Sequence, residues 1–319
     1  MASIVDIRSR SESPLMAGLI KAVEERSPMV NYLAFDQIDS LNYQMKEQGQ
    51  YPGANFRKFN NTFSTADTAP LDLITVQLAD FGLSTSTDYV LARERNREGQ
   101  DYLAQVRMEV ADSIGLDLKS VVIGKNRAAG EPLGLSQWAD FYNSSTNPLV
   151  FDMGTNGAKI SAALSTFIEK LSEMISVVRP NVLIGSREMI STLQSQALVS
   201  AQNNALASMF AFETIQVDGR PEIISRFLGI PIIDSGETSA GTPILGTYDE
   251  VQGSSSDCSS LYAVRAGVND FAILHRYSGL IDYNEYSSGQ EIQIDVHAPM
   301  APVAKNTRCV GRLKGIKAE

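Results

Sequence analysis

Apolar positions divide the chain into a thin early region and a densely patterned later one. Residues 1 to about 30 start polar and run into "LMAGLIKAVEERS". There Leu15, Leu19, Ala22 and Val23 recur at helical spacing, which predicts an arm with one short amphipathic helix. Leu41, Tyr43 and Met45 then alternate with polar residues, "GQYPG" punctuates, and a second run holds Phe56, Phe59 and Phe63, a pattern that predicts a β-hairpin. Phe56 and Phe59 fall on opposite faces of a strand with Arg57 and Lys58 between them, so neither face is clean enough to form this ribbon's own core. A two-stranded ribbon is marginal alone. Its cover must come from the rest of the chain or from a neighbouring copy.

Leu71, Leu73, Val76 and Leu78 predict a strand ended by Gly82. Tyr102, Val106, Val110 and Ile114 follow at intervals of four, which predicts one long helix starting within "RERNREG", with Gly115 at its C-terminal cap. "VVIG", Val121 to Gly124, reads as a buried strand entering a glycine-rich turn. In the middle third Asn156 is expected to cap a helix bearing Ile160, Leu164, Phe167, Ile168, Leu171 and Ile175. "PNVLIGS" reads as a short buried strand, Ser186 as the cap of "REMISTLQSQAL", and "RFLGIPIIDSG" as a strand with a glycine-proline kink. Ser235 to Ser260 is polar and predicts exposed, mobile loops flanking one strand. The closing segments alternate as strands, no repeat of fixed period is visible, and the class is α+β.

Composition narrows the function. The 319 residues are 43% hydrophobic, room for one large domain or two that bury real cores. Lys and Arg total 27 against 37 Asp and Glu, a net charge of −10, which repels polyanions and argues against a broad nucleic-acid surface. No stretch reaches the length of a signal h-region or of the roughly 18 apolar residues of a membrane span, so a cytosolic origin without a membrane is expected. Cys258 and Cys309 lack CxxC spacing and read as plain reduced thiols.

Motif chemistry is sparse. "VVIGKNRAAGEPLGLSQW" suggests a phosphate loop, but Lys125 follows the first glycine and Gly130 is followed by Glu131 and Pro132, where a carboxylate repels phosphate and a proline removes a donor. "GETSAGT" lacks the lysine, and "GTNG", Gly154 to Gly157, reads as an ordinary helix start. His275 and His297 have no metal-ligand spacing, and no GxSxG elbow presents a serine to either. The expectation is therefore no enzyme, with no catalytic, cofactor-binding or metal residues. An acidic chain with an uncovered ribbon and a pliable arm points instead to contact with copies of itself.

The order of segments resembles the major capsid proteins of tailed bacteriophages, the Hong Kong 97-type shell fold, from about Asn31 to Lys317. "VVIGKNRAAGEPLGLSQW" is similar to that family's turn after its spine helix, with Pro132, Leu133, Gly134 and Leu135 in the Pro-x-Gly-Leu place. "NYQMKEQGQYPGANFRKFNNTF" resembles its extended loop. "VLIGSREMISTLQ", "FLGIPIID", "LYAVRAGVND" and "CVGRLKGI" resemble recurring stretches of one capsid subgroup.

The resemblance implies an N-terminal arm at 1–30, an extended hairpin loop at 31–66, a peripheral domain at 67–149 with its spine helix near 94–114, an axial domain at 150–283, and a return to the peripheral domain at 284–319. Arm and ribbon would reach across neighbours, with Tyr43, Met45, Tyr51, Phe56 and Phe59 as inter-subunit contacts. Some relatives carry a cleavable scaffolding region, for which this chain is too short, so a separate scaffolding protein is implied. Some relatives cross-link a loop Lys to an Asn. Lys46, Lys58 and Asn306 are the residues to weigh here, and ordinary solvated lysines are the plainer reading.

The implied function is a structural protein that self-assembles into pentamers and hexamers of an icosahedral shell around phage double-stranded DNA, without sequence-specific binding or cofactors. The implied partners are other copies of the chain, a scaffolding protein, a portal protein and cement or decoration proteins. The implied location is the virion, assembled in the host cytoplasm. Two other readings stay open: an encapsulin-type compartment shell of the same fold, and a cytosolic enzyme whose site is assembled from scattered carboxylates.

Overall fold

The stripe that begins at Tyr102 does not stop at Ile114: Leu118 and Val122 continue it at the same spacing, and the chain stays helical through Ile123. The computed structural model describes residues 3–9, 14–26, 28–48, 71–97, 102–124, 130–200, 210–217, 220–246 and 250–317. Among them the helices are α1 (Ile4–Ser9), α2 (Pro14–Arg26), α3 (Tyr89–Arg97), α4 (Tyr102–Ile123), α5 (Leu135–Tyr142), α6 (Leu164–Val178) and α7 (Arg187–Ser200). The strands are β1 (Ala34–Gln37), β2 (Asn42–Gln48), β3 (Leu71–Gln77), β4 (Ala79–Asp88), β5 (Val150–Asp152), β6 (Ala158–Lys159), β7 (Val182–Gly185) and β8 (Phe210–Val217). They continue with β9 (Arg220–Phe227), β10 (Ile230–Asp234), β11 (Glu250–Gln252), β12 (Ser255–Val264), β13 (Phe271–His275), β14 (Asp282–Ser288), β15 (Glu291–Ala304) and β16 (Val310–Lys317).

Gly115 is thus buried inside α4 rather than capping it, and Val121 to Ile123 form its last turn rather than a strand. The β-branched run misleads locally, but the spacing of four outlasts it. Gly124, at φ +70°, ends the helix, its N–H donating to Ser120 O at 2.8 Å.

Long-range pairing builds two larger sheets. One runs β1-β13-β15-β14, with β4 on the other side of β15; the other runs β5-β16-β12-β7-β10-β9-β8, with β6 on β16 and β11 on β12. One continuous apolar core joins them. Helix α6 packs on the second sheet so closely over Gly311 that a Cβ there would lie 2.8 Å from Val178.

Several expectations change. The closing strand β16 sits between β5 and β12 in the larger sheet, while β14 and β15 lie in the smaller one. β13 likewise pairs with β1 and β15, outside the sheet built from residues 150–264. Gly82 is internal to β4, facing His297 across the ladder. "RFLGIPIID" is a hairpin: Leu228 and Gly229 both take positive φ, 50° and 82°, turning β9 back into β10. α6 starts at Leu164, and Asn156 instead accepts hydrogen bonds from Ser254 N and Oγ, both at 3.1 Å. Ser186 does cap α7, its Oγ accepting from Met189 N at 3.2 Å.

The segment from Ser235 to Gly246 is exposed from Ser239 to Pro243, as expected, and is anchored to α4 at Ser239. Asp117 of α4 accepts from both Ser239 N (2.8 Å) and Ser239 Oγ (2.7 Å). Ser255 onward is strand β12, buried from Cys258 to Val264. The arm also differs from expectation. α1 and α2 fold back, burying Ile4, Ile7, Leu19, Ile20 and Val23, with α2 lying along α4.

Candidate assembly surfaces

The stretch that suggested a phosphate loop is a corner. Gly124 and Gly134 meet backbone to backbone, and a Cβ on Gly134 would sit 2.6 Å from Gly124 Cα. Gln137 Oε1 accepts from Gly134 N at 3.0 Å while its Nε2 donates to Gly124 O, so the turn's polar groups are used in closing it. Lys125 lies outside the described residues.

The corner delivers α5 between the two larger sheets. β4 pairs with β15 only as far as Met300, and beyond it the carbonyls of Pro302 and Ala304 need donors. Trp138 Nε1 donates to Pro302 O at 3.0 Å and Tyr142 Oη to Ala304 O at 3.2 Å, with the two rings stacked 5.6 Å apart.

On the other face of this junction Arg312 of β16 donates to Glu250 (3.0 Å), Asp140 (3.3 Å) and Ser260 Oγ (3.0 Å). It lies near the ring of fully buried Tyr262, whose hydroxyl burial pushes up to about 12. α4 is held to the smaller sheet by Arg107, which donates to Glu285 at 2.7 Å and to Tyr283 Oη at 3.1 Å. Burial works to raise the Glu285 carboxyl, but the hydrogen bonds from Tyr283 and Arg107 outweigh it and leave it below its usual range.

The ribbon exists, with a different second strand. β2 pairs antiparallel with β3, Met45 opposite Ile74 and Tyr43 opposite Val76, whereas the run from Phe56 to Phe63 lies outside the described residues. Its described base has one apolar face, and that face turns toward the chain's own body. Met45 and Val76 are buried there, and Tyr43 lies under the Lys305 ammonium, 5.1 Å from its ring centroid, while Lys305 pairs with Asp36. Among the ribbon's described side chains, the large apolar ones left exposed are Leu41 and Leu73. Of the contact residues expected from sequence, Tyr43 and Met45 are thus engaged within the chain, and Tyr51, Phe56 and Phe59 are outside the described residues.

Of the cross-linking candidates, Lys46 stands opposite Leu73 in the ladder and Lys58 is outside the described residues. Asn306 shapes the turn between β15 and β16, its Oδ1 accepting from Arg308 N at 3.0 Å.

His275 is buried in β13, its Nδ1 2.8 Å from Tyr277 O, and burial pushes its pKa down. His297 Nδ1 lies 2.9 Å from Asp80 on the exposed sheet face. Burial pushes the Cys309 thiol up to about 12, far from a reactive thiolate. Among the described residues no group of three His, Cys, Asp or Glu could hold a metal ion. Two of the cavities among the described residues hold about 140 and 170 Å³, below the roughly 300–1,000 Å³ of ordinary ligand pockets.

No family model matches the chain, and no curated protein matches it in sequence. Solved structures do match. The capsid of a native GTA particle aligns with a TM-score of 0.60 at 11% identity, covering 92% of this chain and 90% of that one. A Microbacterium phage Oxtober96 structure aligns with a TM-score of 0.60 at 12% identity, over 90% of each chain. The fold is the Hong Kong 97-type capsid fold. An encapsulin of the same architecture, from the holo-SrpI complex of Synechococcus elongatus, aligns with a TM-score of 0.55 at 9% identity over 93% of this chain and 90% of that one.

Proposed function

We propose that this chain is the major capsid protein of a tailed phage, self-assembling into pentamers and hexamers of an icosahedral shell around double-stranded DNA. The observation that carries the reading is agreement with capsid chains over at least nine-tenths of both partners. The net charge of −10 suits a wall that encloses DNA without gripping it, which leaves the packaged molecule movable. The role is structural rather than catalytic. Residues 67–149 with β14 and β15 act as the peripheral part and the larger sheet as the axial part. The distal loop, with Tyr51, Phe56 and Phe59, reaches a neighbour. A separate scaffolding protein, a portal protein and decoration proteins are the expected partners, and the virion is the expected location. Lys46, Lys58 and Asn306 stay candidates for a cross-link.

The test is to express the chain, with its scaffold where required, and examine it by sedimentation and electron microscopy. Shells or capsomers are expected. A species that stays monomeric near 34.7 kDa under all assembly conditions would overturn the proposal.

The encapsulin match favours a second reading, a protein compartment enclosing cargo enzymes. Terminase and portal genes beside this one support the phage reading, whereas an adjacent gene for a cargo enzyme, with protein-filled particles, supports the compartment.

A further inference from the structure

Helix α3 is securely made, yet of the side chains from Tyr89 to Arg95 only that of Ala92 is buried. Asp88 Oδ1 accepts from Val90 N at 2.7 Å and Leu91 N at 3.0 Å, capping the first turn, and Tyr89 N donates to Gln290 O at 2.7 Å, which anchors the helix start beside β15. Ala92 is buried, but Tyr89, Val90 and Leu91 remain 46%, 56% and 44% exposed. Burying one such side chain fully contributes about 1.5–3 kcal/mol, and three exposed in succession mark a surface that a partner covers.

The charge of the same helix says what that partner is. α3 carries three arginines against one glutamate, a net of +2, on a chain of net −10, which leaves −12 for the remaining residues. Arg93 is exposed beside the apolar run, and the Arg95 guanidinium lies over the Tyr102 ring, 4.7 Å from its centroid. Two α3 faces brought together about a two-fold axis would set arginines against arginines. A different, acidic surface of a second copy offers attraction instead, and such heterologous contacts close rings or extend arrays.

We infer that the exposed first turn of α3, with Tyr89 and Arg93 on one side and Val90 and Leu91 about 100° and 200° round the helix from Tyr89, is a heterologous docking element that seats in an acidic, partly apolar surface of the next copy of this chain. The inference rests on the shell reading and names one of its contacts. Three side chains are too few for a whole interface of about 800 Å² per partner, so α3 supplies the anchor of a larger one.

The test compares wild type with a Val90→Asp, Leu91→Asp double variant and with Arg93→Glu, each assembled with its scaffold where required and followed by analytical ultracentrifugation and melting. All three should melt alike. The double variant should lose assembly, and Arg93→Glu should raise the threshold concentration about tenfold at low salt, with the difference shrinking at high salt where charges are screened. Assembly of the double variant at the wild-type threshold assigns the face to some other partner and overturns the inference, while the shell reading stands. A wild-type threshold for Arg93→Glu overturns the acidic seat. Wild-type protein that stays monomeric at every concentration overturns both.

Discussion

Helices α3 and α5 are of similar length and each begins with a large apolar residue, yet they meet opposite fates. α5 buries Leu135, Trp138, Ala139 and Tyr142 and donates two side-chain hydrogen bonds to β15, whereas α3 buries Ala92 alone among its large and small apolar residues. Composition separates them only in part: α3 carries three arginines and a glutamate where α5 has a single charge, Asp140, yet α3 still opens on three apolar residues that stay bare. α5 stands where β4 has run out and β15 still has unpaired carbonyls, with the larger sheet on its other side; α3 stands at the far end of β15, where the ladder with β4 closes. The difference teaches which apolar surface serves the fold of one chain and which is left for another.

The largest break in this comparison is Trp138→Ala. It empties a fully buried indole site and orphans the Pro302 carbonyl, at a cost of about 3–5 kcal/mol. Chemical denaturation should show a sharply lower midpoint or no cooperative transition. Next comes Arg312→Met, which leaves Glu250 buried without its cation and should cost about 3 kcal/mol in the same measurement. A wild-type midpoint there would show that the ion network contributes nothing to joining α5, β11 and β16.

A smaller effect concerns His275, which lies beneath α1 beside Ile7, Phe35 and Asp36 in the larger of the two cavities. Burial pushes its pKa below the unfolded value of about 6.5, so the unfolded chain binds the proton more readily. Its contribution is fully present above that pH and is lost as pH falls toward the lowered native value. Stability measured from pH 7 to 5 should therefore decline, and the decline should flatten in His275→Gln. The smallest effect is expected at α3: Leu91→Ser should change monomer stability by no more than about 0.5 kcal/mol. A loss comparable with Trp138→Ala would mean that α3 belongs to the fold after all.

Much of the helical part was legible. The stripe through Val106, Val110 and Ile114 marks α4, and the serine at 186 marks the start of α7, because both signals act within one or two turns. Errors gathered where a local signal competed with a longer one. Val121 to Ile123 look like a strand because they are β-branched, and Gly115 looks like a cap because glycine ends many helices. The continuing apolar spacing overrides both.

The ribbon's second strand was missed for a different reason. Leu71 to Gln77 pairs with Asn42 to Gln48 across more than twenty intervening residues, and a nearer run with three phenylalanines offered an equally good pattern. Leu228-Gly229 did carry a readable hairpin signal, a glycine between two apolar runs, but Pro231 drew the reading toward a kink. Of the contact residues, the pattern found Tyr43 and Met45 as one face without saying what they meet. The α3 face left its own trace, three apolar residues directly after a capping aspartate.

By itself the sequence determined the helix periods, the caps, the acidic balance and the lack of a phosphate or metal motif, since each depends on residue types within a few positions. Tertiary structure alone decided that β16 crosses to the larger sheet, that the arm lies back along α4, that Asn156 serves Ser254, and which apolar faces stay open. Strand partners are chosen across long separations, and a face is covered or bare according to what the whole chain brings beside it.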